Sequence, residues 1–101
     1  MITFVNVFTV LPEKQEDALQ AIGKVYTQAV KHQPGFISAK LLKSDDGTRV
    51  TAIAQWESER HLQAMRATPE FKNLQNRHFY EAIASNDGHV YSTAVEIDSS
   101  Q

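Results

Sequence analysis

The stretch Thr51-Ala52-Ile53-Ala54-Gln55-Trp56-Glu57-Ser58-Glu59-Arg60-His61-Leu62-Gln63-Ala64-Met65 decides the fold. Up to Trp56, the single tryptophan of the chain, the alternation has period two. Val50, Ala52, Ala54 and Trp56 share one face, and Thr51, Ile53 and Gln55 take the other. At Ser58 the pattern passes into a short helix, with Ser58 as N-cap and Glu59 placing negative charge at the positive end. Two alanines followed by a large indole leave room above the sheet, so Ala52 and Ala54 are expected to floor a pocket and Trp56 to wall it. The plainer reading of Trp56 is a plug at the edge of the core.

Upstream, Ile2 to Leu11 alternates Ile2, Phe4, Asn6, Phe8 and Val10 against Thr3, Val5, Val7, Thr9 and Leu11. Both faces are largely apolar, which predicts a strand covered on both sides. Asn6 is the odd residue, a polar amide on an aromatic face: a cleft group or a buried tie to neighbouring backbone. Pro12 suits the first turn of a helix whose apolar stripe runs through Ala18, Ile22, Val25 and Ala29 and stops near Gln33, before Pro34-Gly35. Phe36 to Lys43 is the second strand, and Ser44-Asp45-Asp46-Gly47 the turn into the third.

Downstream, Thr68-Pro69-Glu70 opens another helix. It would carry Phe71, Leu74, Gln75, His78, Phe79 and Ala82 within about 140° of arc. Ser85-Asn86-Asp87-Gly88 reads as a loop and His89 to Ile97 as a last strand. The order predicts an α+β, ferredoxin-like βαββαβ domain over residues 1–98, with a four-stranded antiparallel sheet, helices on one face and a disordered tail at 99–101. The other face, with Val5, Val7 and Ile53, would be an apolar patch larger than monomers usually leave bare, so a two-fold homodimer is expected.

At 101 residues the chain is one domain of ordinary composition. Its formal charge of -2, from ten basic and twelve acidic residues without a basic run, argues against nucleic acid and anionic membrane as partners. No apolar run approaches the roughly 18 residues of a span and no leader pattern opens the chain. The absence of cysteine excludes disulfides and thiolate chemistry. A cytoplasmic protein is expected. His32, His61, His78 and His89 show no metal-ligand spacing, so no metal site is expected.

Pro34-Gly35-Phe36-Ile37-Ser38-Ala39, Asp46-Gly47-Thr48 and Ala54-Gln55-Trp56-Glu57-Ser58-Glu59 together resemble the antibiotic biosynthesis monooxygenase family. The resemblance implies a dimeric α+β barrel with a pocket between helices and sheet in each subunit. It also implies oxidation of polyphenolic anthrones without metal, flavin or haem. A deprotonated phenol or enol is itself the electron donor to O₂, so the protein need only deprotonate it, hold the anion and exclude water. The anthrone-oxidising members have an asparagine four residues before the tryptophan, a tyrosine six after it and a tyrosine-histidine pair on the second strand. Here those positions are Ala52, Leu62, Leu41 and Leu42, and Trp56 alone matches. The haem-degrading members have a first-strand asparagine, matched by Asn6, a tryptophan where Met65 stands and a haem-ligating histidine where Gln75 stands.

The residues thus point to a small cofactor-independent monooxygenase that oxidises an electron-rich aromatic, of phenol, hydroquinone or anthrone type, with O₂. Asn6 would hold the substrate oxygen as it becomes anionic, and His78 would act as the base, an imidazole titrating in the neutral range. Trp56, Gln75, Ala52, Ala54, Met65 and Phe71 would bind the substrate. Met65, Phe71 and Phe79 read as core or pocket wall rather than as chemical groups. Two alternatives stand beside this: a non-catalytic dimeric module for a small apolar ligand, and a haem-binding, haem-degrading protein with His78 on the iron.

Overall fold

The period-two stretches become four antiparallel strands: β1 (Ile2–Val10), β2 (Phe36–Lys43), β3 (Arg49–Trp56) and β4 (Ile83–Tyr91). They lie in the order β2-β3-β1-β4. The computed structural model describes residues 1–92 and 95–100. Helix α1 (Gln15–Gln28) follows β1, and three short helices, α2 (Glu59–Arg66), α3 (Pro69–Leu74) and α4 (Arg77–Glu81), lead from β3 to β4. This is the ferredoxin-like α+β plan, with its second helix in three pieces. No helix among the described residues is long and apolar enough to cross a membrane.

One face of the sheet carries the core. Val50, Ala52, Ala54 and Trp56 are buried on β3, with Phe4, Phe8 and Val10 beside them on β1. The stripe Ala18, Ile22 and Val25 of α1 closes over them. The opposite face, with Val5, Val7 and Ile53 half-buried and Leu42 and Tyr91 exposed, has no such cover among the described residues.

The local signals act as their chemistry dictates. Ser58 accepts the His61 N–H and Thr68 the Phe71 N–H, each capping its helix. Gly47 takes φ 80° in the β2–β3 turn. There Asp46 accepts from Ser44 Oγ and Thr48 Oγ1, both at 2.7 Å, and from Thr48 N at 3.0 Å. Gln15 Nε2 donates to the carbonyls of Ser44 (2.8 Å) and Arg49 (3.0 Å), tying the start of α1 to this hairpin. Gly35 has φ 85°, and a Cβ there would run into the His61 ring.

Four expectations are corrected. Pro12 does not open α1: Leu11 to Lys14 close a separate turn, Lys14 N–H donating to Leu11 O at 3.0 Å, and the helix begins at Gln15. The helix expected through Phe71 and Ala82 breaks at Gln75 and Asn76. Gln75 leaves helical geometry at ψ 55°, and Asn76 caps a new helix by accepting the Phe79 N–H at 3.2 Å. The expected loop Ser85–Gly88 lies inside β4. Thr3 pairs with Tyr91, Asn6 with Gly88 and Val10 with Ile83, so the need of β1 for a second partner overrides the turn chemistry of Ser-Asn-Asp-Gly. As β4 is an edge strand, those polar residues face water at little cost. The strand expected at His89–Ile97 instead ends at Tyr91, and Val95 and Ile97 are exposed outside it; Thr93 and Ala94 lie outside the described residues, as does Gln101 of the expected tail.

Candidate active site

Between the sheet and the helices lies a cavity of about 180 Å³. Its sheet side is built by β1, where Phe4, Asn6 and Phe8 point the same way, and by Trp56 at the end of β3. Ile22, Val25 and Tyr26 of α1 close one wall. Met65 and Arg66 of α2, Phe71 of α3 and Gln75 form another, and α4 adds Phe79 and Tyr80. Asn86 of β4 lines it beside Asn6. Aromatic and aliphatic side chains share the lining about evenly with polar groups: three amides, two phenols and the Arg66 guanidinium.

The polar groups are arranged. Asn6 sits across the ladder from Ala52 on one side and Gly88 on the other, so its amide rises between two small neighbours. Asn86 Nδ2–H donates to Asn6 Oδ1 at 3.2 Å. That bond engages the Asn6 carbonyl, and its NH₂ has no hydrogen-bond partner among the described residues. Gly88 is needed there: a Cβ would lie 2.7 Å from Phe4 Cζ and 3.3 Å from Asn6 Oδ1. Trp56 is 1% exposed and packs edge-on against Phe36, with centroids 5.4 Å apart. Its Nε1–H is buried with no hydrogen-bond partner among the described residues, an orphan that costs about 1–3 kcal/mol. Burial pushes the Tyr26 phenol up to about 12, so it stays protonated at neutral pH and serves as a donor, never a base.

Of the residues expected at the site, Asn6, Trp56, Gln75, Met65 and Phe71 line the cavity. Three others do not. Ala52 and Ala54 are wholly buried in the core, because the α1 stripe fills the space that two small residues were expected to leave open. His78 lies outside: its side chain is 87% exposed and stands 3.6 Å from Glu81. The break at Gln75 rotates α4, so His78 no longer shares a face with Phe71 and Gln75. With it goes the expected base, and also the haem ligand of the alternative reading, since no histidine lines the cavity. Arg66 and Asn86 belong to the site without having been singled out. Asn86 was hidden by its turn-like neighbours, and Arg66 resembles any basic residue ending a helix.

The comparisons with known proteins fit this geometry. The family model for the antibiotic biosynthesis monooxygenases matches residues 1–77. The chain belongs to that family. Tetracenomycin-F1 monooxygenase of Streptomyces glaucescens is 42% identical over 72 residues, which are 71% of this chain and 64% of that protein. The chain thus matches less than two-thirds of that relative's length. Among solved structures, SnoaB, a cofactor-independent oxygenase from Streptomyces nogalater, superposes with a TM-score of 0.81 at 22% identity, over 95% of both chains. A putative antibiotic biosynthesis monooxygenase from Nitrosomonas europaea gives 0.78 at 20% identity, over 94% of this chain and 100% of its own. At such identities these structures carry the fold of the family and no more.

Proposed function

We propose that this member of the family is a cofactor-independent oxygenase of an electron-rich aromatic of the anthrone or hydroquinone type. In this reading it uses O₂ and works as a homodimer in the cytoplasm. The observation that carries the reading is the Asn6 amide, held by Asn86, in an aromatic-lined cavity with Trp56 in its wall. The names of the tetracenomycin-F1 monooxygenase and of the cofactor-independent oxygenase SnoaB support it.

The electron balance narrows the substrate. Converting an anthrone CH₂ to C=O consumes one O₂: one oxygen enters the product and the other leaves as water with the two hydrogens. All four electrons come from the substrate carbon. A hydroquinone gives two electrons and two protons, leaving H₂O₂. A plain phenol gaining a hydroxyl would need two further electrons from a reductant. The site has no need of one in the first two cases.

The residues hold and shield. Asn6 Nδ2–H donates to the substrate oxygen as negative charge develops, a contribution of roughly 3 kcal/mol for a well-aimed donor. Trp56, Phe71, Phe79 and Met65 keep water from the reactive anion. Since no carboxylate, lysine or histidine lines the cavity, the substrate proton passes to solvent.

The test is incubation of the protein with anthrones and hydroquinones in air and under argon, with ¹⁸O₂ to follow the label. An anthrone oxidised only in air, with one labelled atom in the product, is the expected result. Substrates that bind yet oxidise no faster than in buffer would overturn catalysis and leave a ligand-binding module.

A further inference from the structure

Arg66 ends α2 and lines the cavity, with its guanidinium carbon 5.8 Å from the centroid of the Phe4 ring. It takes part in none of the ion pairs among the described residues. No carboxylate lines the cavity, so Arg66 is its single formal charge. A basic residue at a helix C-terminus is ordinarily explained by the helix dipole. That explanation does not require the guanidinium to lie over an aromatic ring in the wall of a cavity.

Phe4 connects this charge to the amides. Phe4 Cζ and Asn6 Oδ1 both crowd the space above Gly88, so the ring that carries Arg66 on its face stands beside the Asn6–Asn86 pair. A flat substrate in the cavity therefore meets a cation and an amide donor in the same region. Tyr26 of α1 and Tyr80 of α4 are the other titratable groups of the lining. Burial keeps the Tyr26 phenol protonated, so it brings no negative charge against Arg66.

Resting on the function proposed above, we propose that the cavity selects its aromatic substrate as a phenolate or enolate oxyanion, with Arg66 as the counter-charge and specificity-determining residue. The protein then needs no base of its own. An opposite charge within about 4–6 Å favours the ionised form of a phenol. The substrate loses its proton to water on binding, and the anion that results is the form that gives an electron to O₂. Arg66 acts on binding and on ionisation, and Asn6 on the charge as it is held.

The test uses a redox-inert probe, 2-hydroxyanthraquinone, whose visible band moves to longer wavelength when its phenol ionises, with 2-methoxyanthraquinone as the neutral control. Bound to the wild-type protein, the probe should ionise at least about one pH unit lower than in free solution, a tenfold preference for the anion. Arg66→Gln should remove the displacement and weaken anion binding about tenfold or more, leave the methoxy compound unaffected, and keep the thermal melt. Arg66→Lys should retain part of the displacement. A bound probe that ionises at its free-solution pH, or a displacement that survives in Arg66→Gln, would overturn the assignment while leaving the oxygenase reading in place. Failure of the wild type to bind either quinone would overturn both. Anthraquinone-2-carboxylate is the third arm. If it binds more tightly than the phenolate and with the same dependence on Arg66, the counter-charge serves a carboxylate substituent and the phenolate assignment fails.

Discussion

Asn6 is held in place by three neighbours: Asn86 orients its carbonyl, and Ala52 and Gly88 leave it space. Asn6→Ala should lower kcat by about 10²-fold or more through loss of the oxyanion donor. Asn86→Ala leaves the donor present but free to rotate, and should cost less, up to about 10²-fold, with the melt unchanged. Single-turnover oxidation of an anthrone measures both, and an Asn86→Ala enzyme as fast as wild type would remove the positioning role. Trp56 demands a different substitution. It is buried in the core, so Trp56→Ala should destabilise by about 3–5 kcal/mol and report folding more than binding. Trp56→Phe removes the N–H with less loss of volume and is the informative variant. Ala54→Leu, in a filled core position, should cost about 1–3 kcal/mol by overpacking and leave the cavity lining untouched. The Tyr26 phenol is raised by burial, so the unfolded chain loses that proton first as pH climbs past 10.0. Stability is complete below that value and falls as the pH rises through about 12. Tyrosinate absorbance should show one step near that pH that Tyr26→Phe abolishes.

Among the elements, the break between α3 and α4 shapes the site most, because it brings Phe79 and Tyr80 to the cavity and sends His78 to solvent. Asn76→Ala removes the cap of α4 and should cost about 1 kcal/mol, with fraying confined to residues 76–82 in hydrogen exchange. Fraying spread across α1 as well would mean that the two helices form one unit. The β2–β3 turn provides an acid-side counterpart. Hydrogen bonds from Thr48 and Ser44 hold the Asp46 carboxyl down to about 2. Its contribution is whole above the ordinary 3.8 and disappears as the pH falls toward about 2. Asp46→Ala should therefore flatten the decline of the melting temperature in that window, and an unchanged slope would show the turn to be irrelevant to acid stability.

The molecule as a whole leaves one sheet face with Val5, Val7 and Ile53 and no helix upon it among the described residues. Val7 stands between Thr51 and Asp87, and Ile53 between Val5 and Lys40, so the apolar centre of this face is narrow and is flanked by polar and charged side chains. Val7→Asp or Ile53→Asp places a charge in the sheet-to-sheet contact of the proposed homodimer and should turn a dimer into a monomer in sedimentation at micromolar concentration. Wild-type protein sedimenting as a monomer would remove the argument from the two apolar faces of β1.

Sequence alone determined the elements whose signals are local: the alternation of β1 and β3, the Ser58 and Thr68 caps, the Gly47 turn, and hence the βαββαβ order. It also exposed Asn6, since an amide among Phe4 and Phe8 is conspicuous at strand spacing, and it singled out Trp56 for its size. Tertiary structure decided everything that depends on what lies across the sheet. Ser85–Gly88 has the composition of a turn and is a strand only because β1 has an edge to pair, and Asn86 reaches Asn6 only through that pairing. Helical periodicity placed His78 with Gln75 by assuming one unbroken helix, and a single Asn76 cap, satisfying one N–H, was enough to separate them. The room above Ala52 and Ala54 depended on how closely α1 packs, which no pattern along β3 records. The charge that Arg66 brings to the cavity follows from where α2 ends over Phe4, a distance through space rather than along the chain.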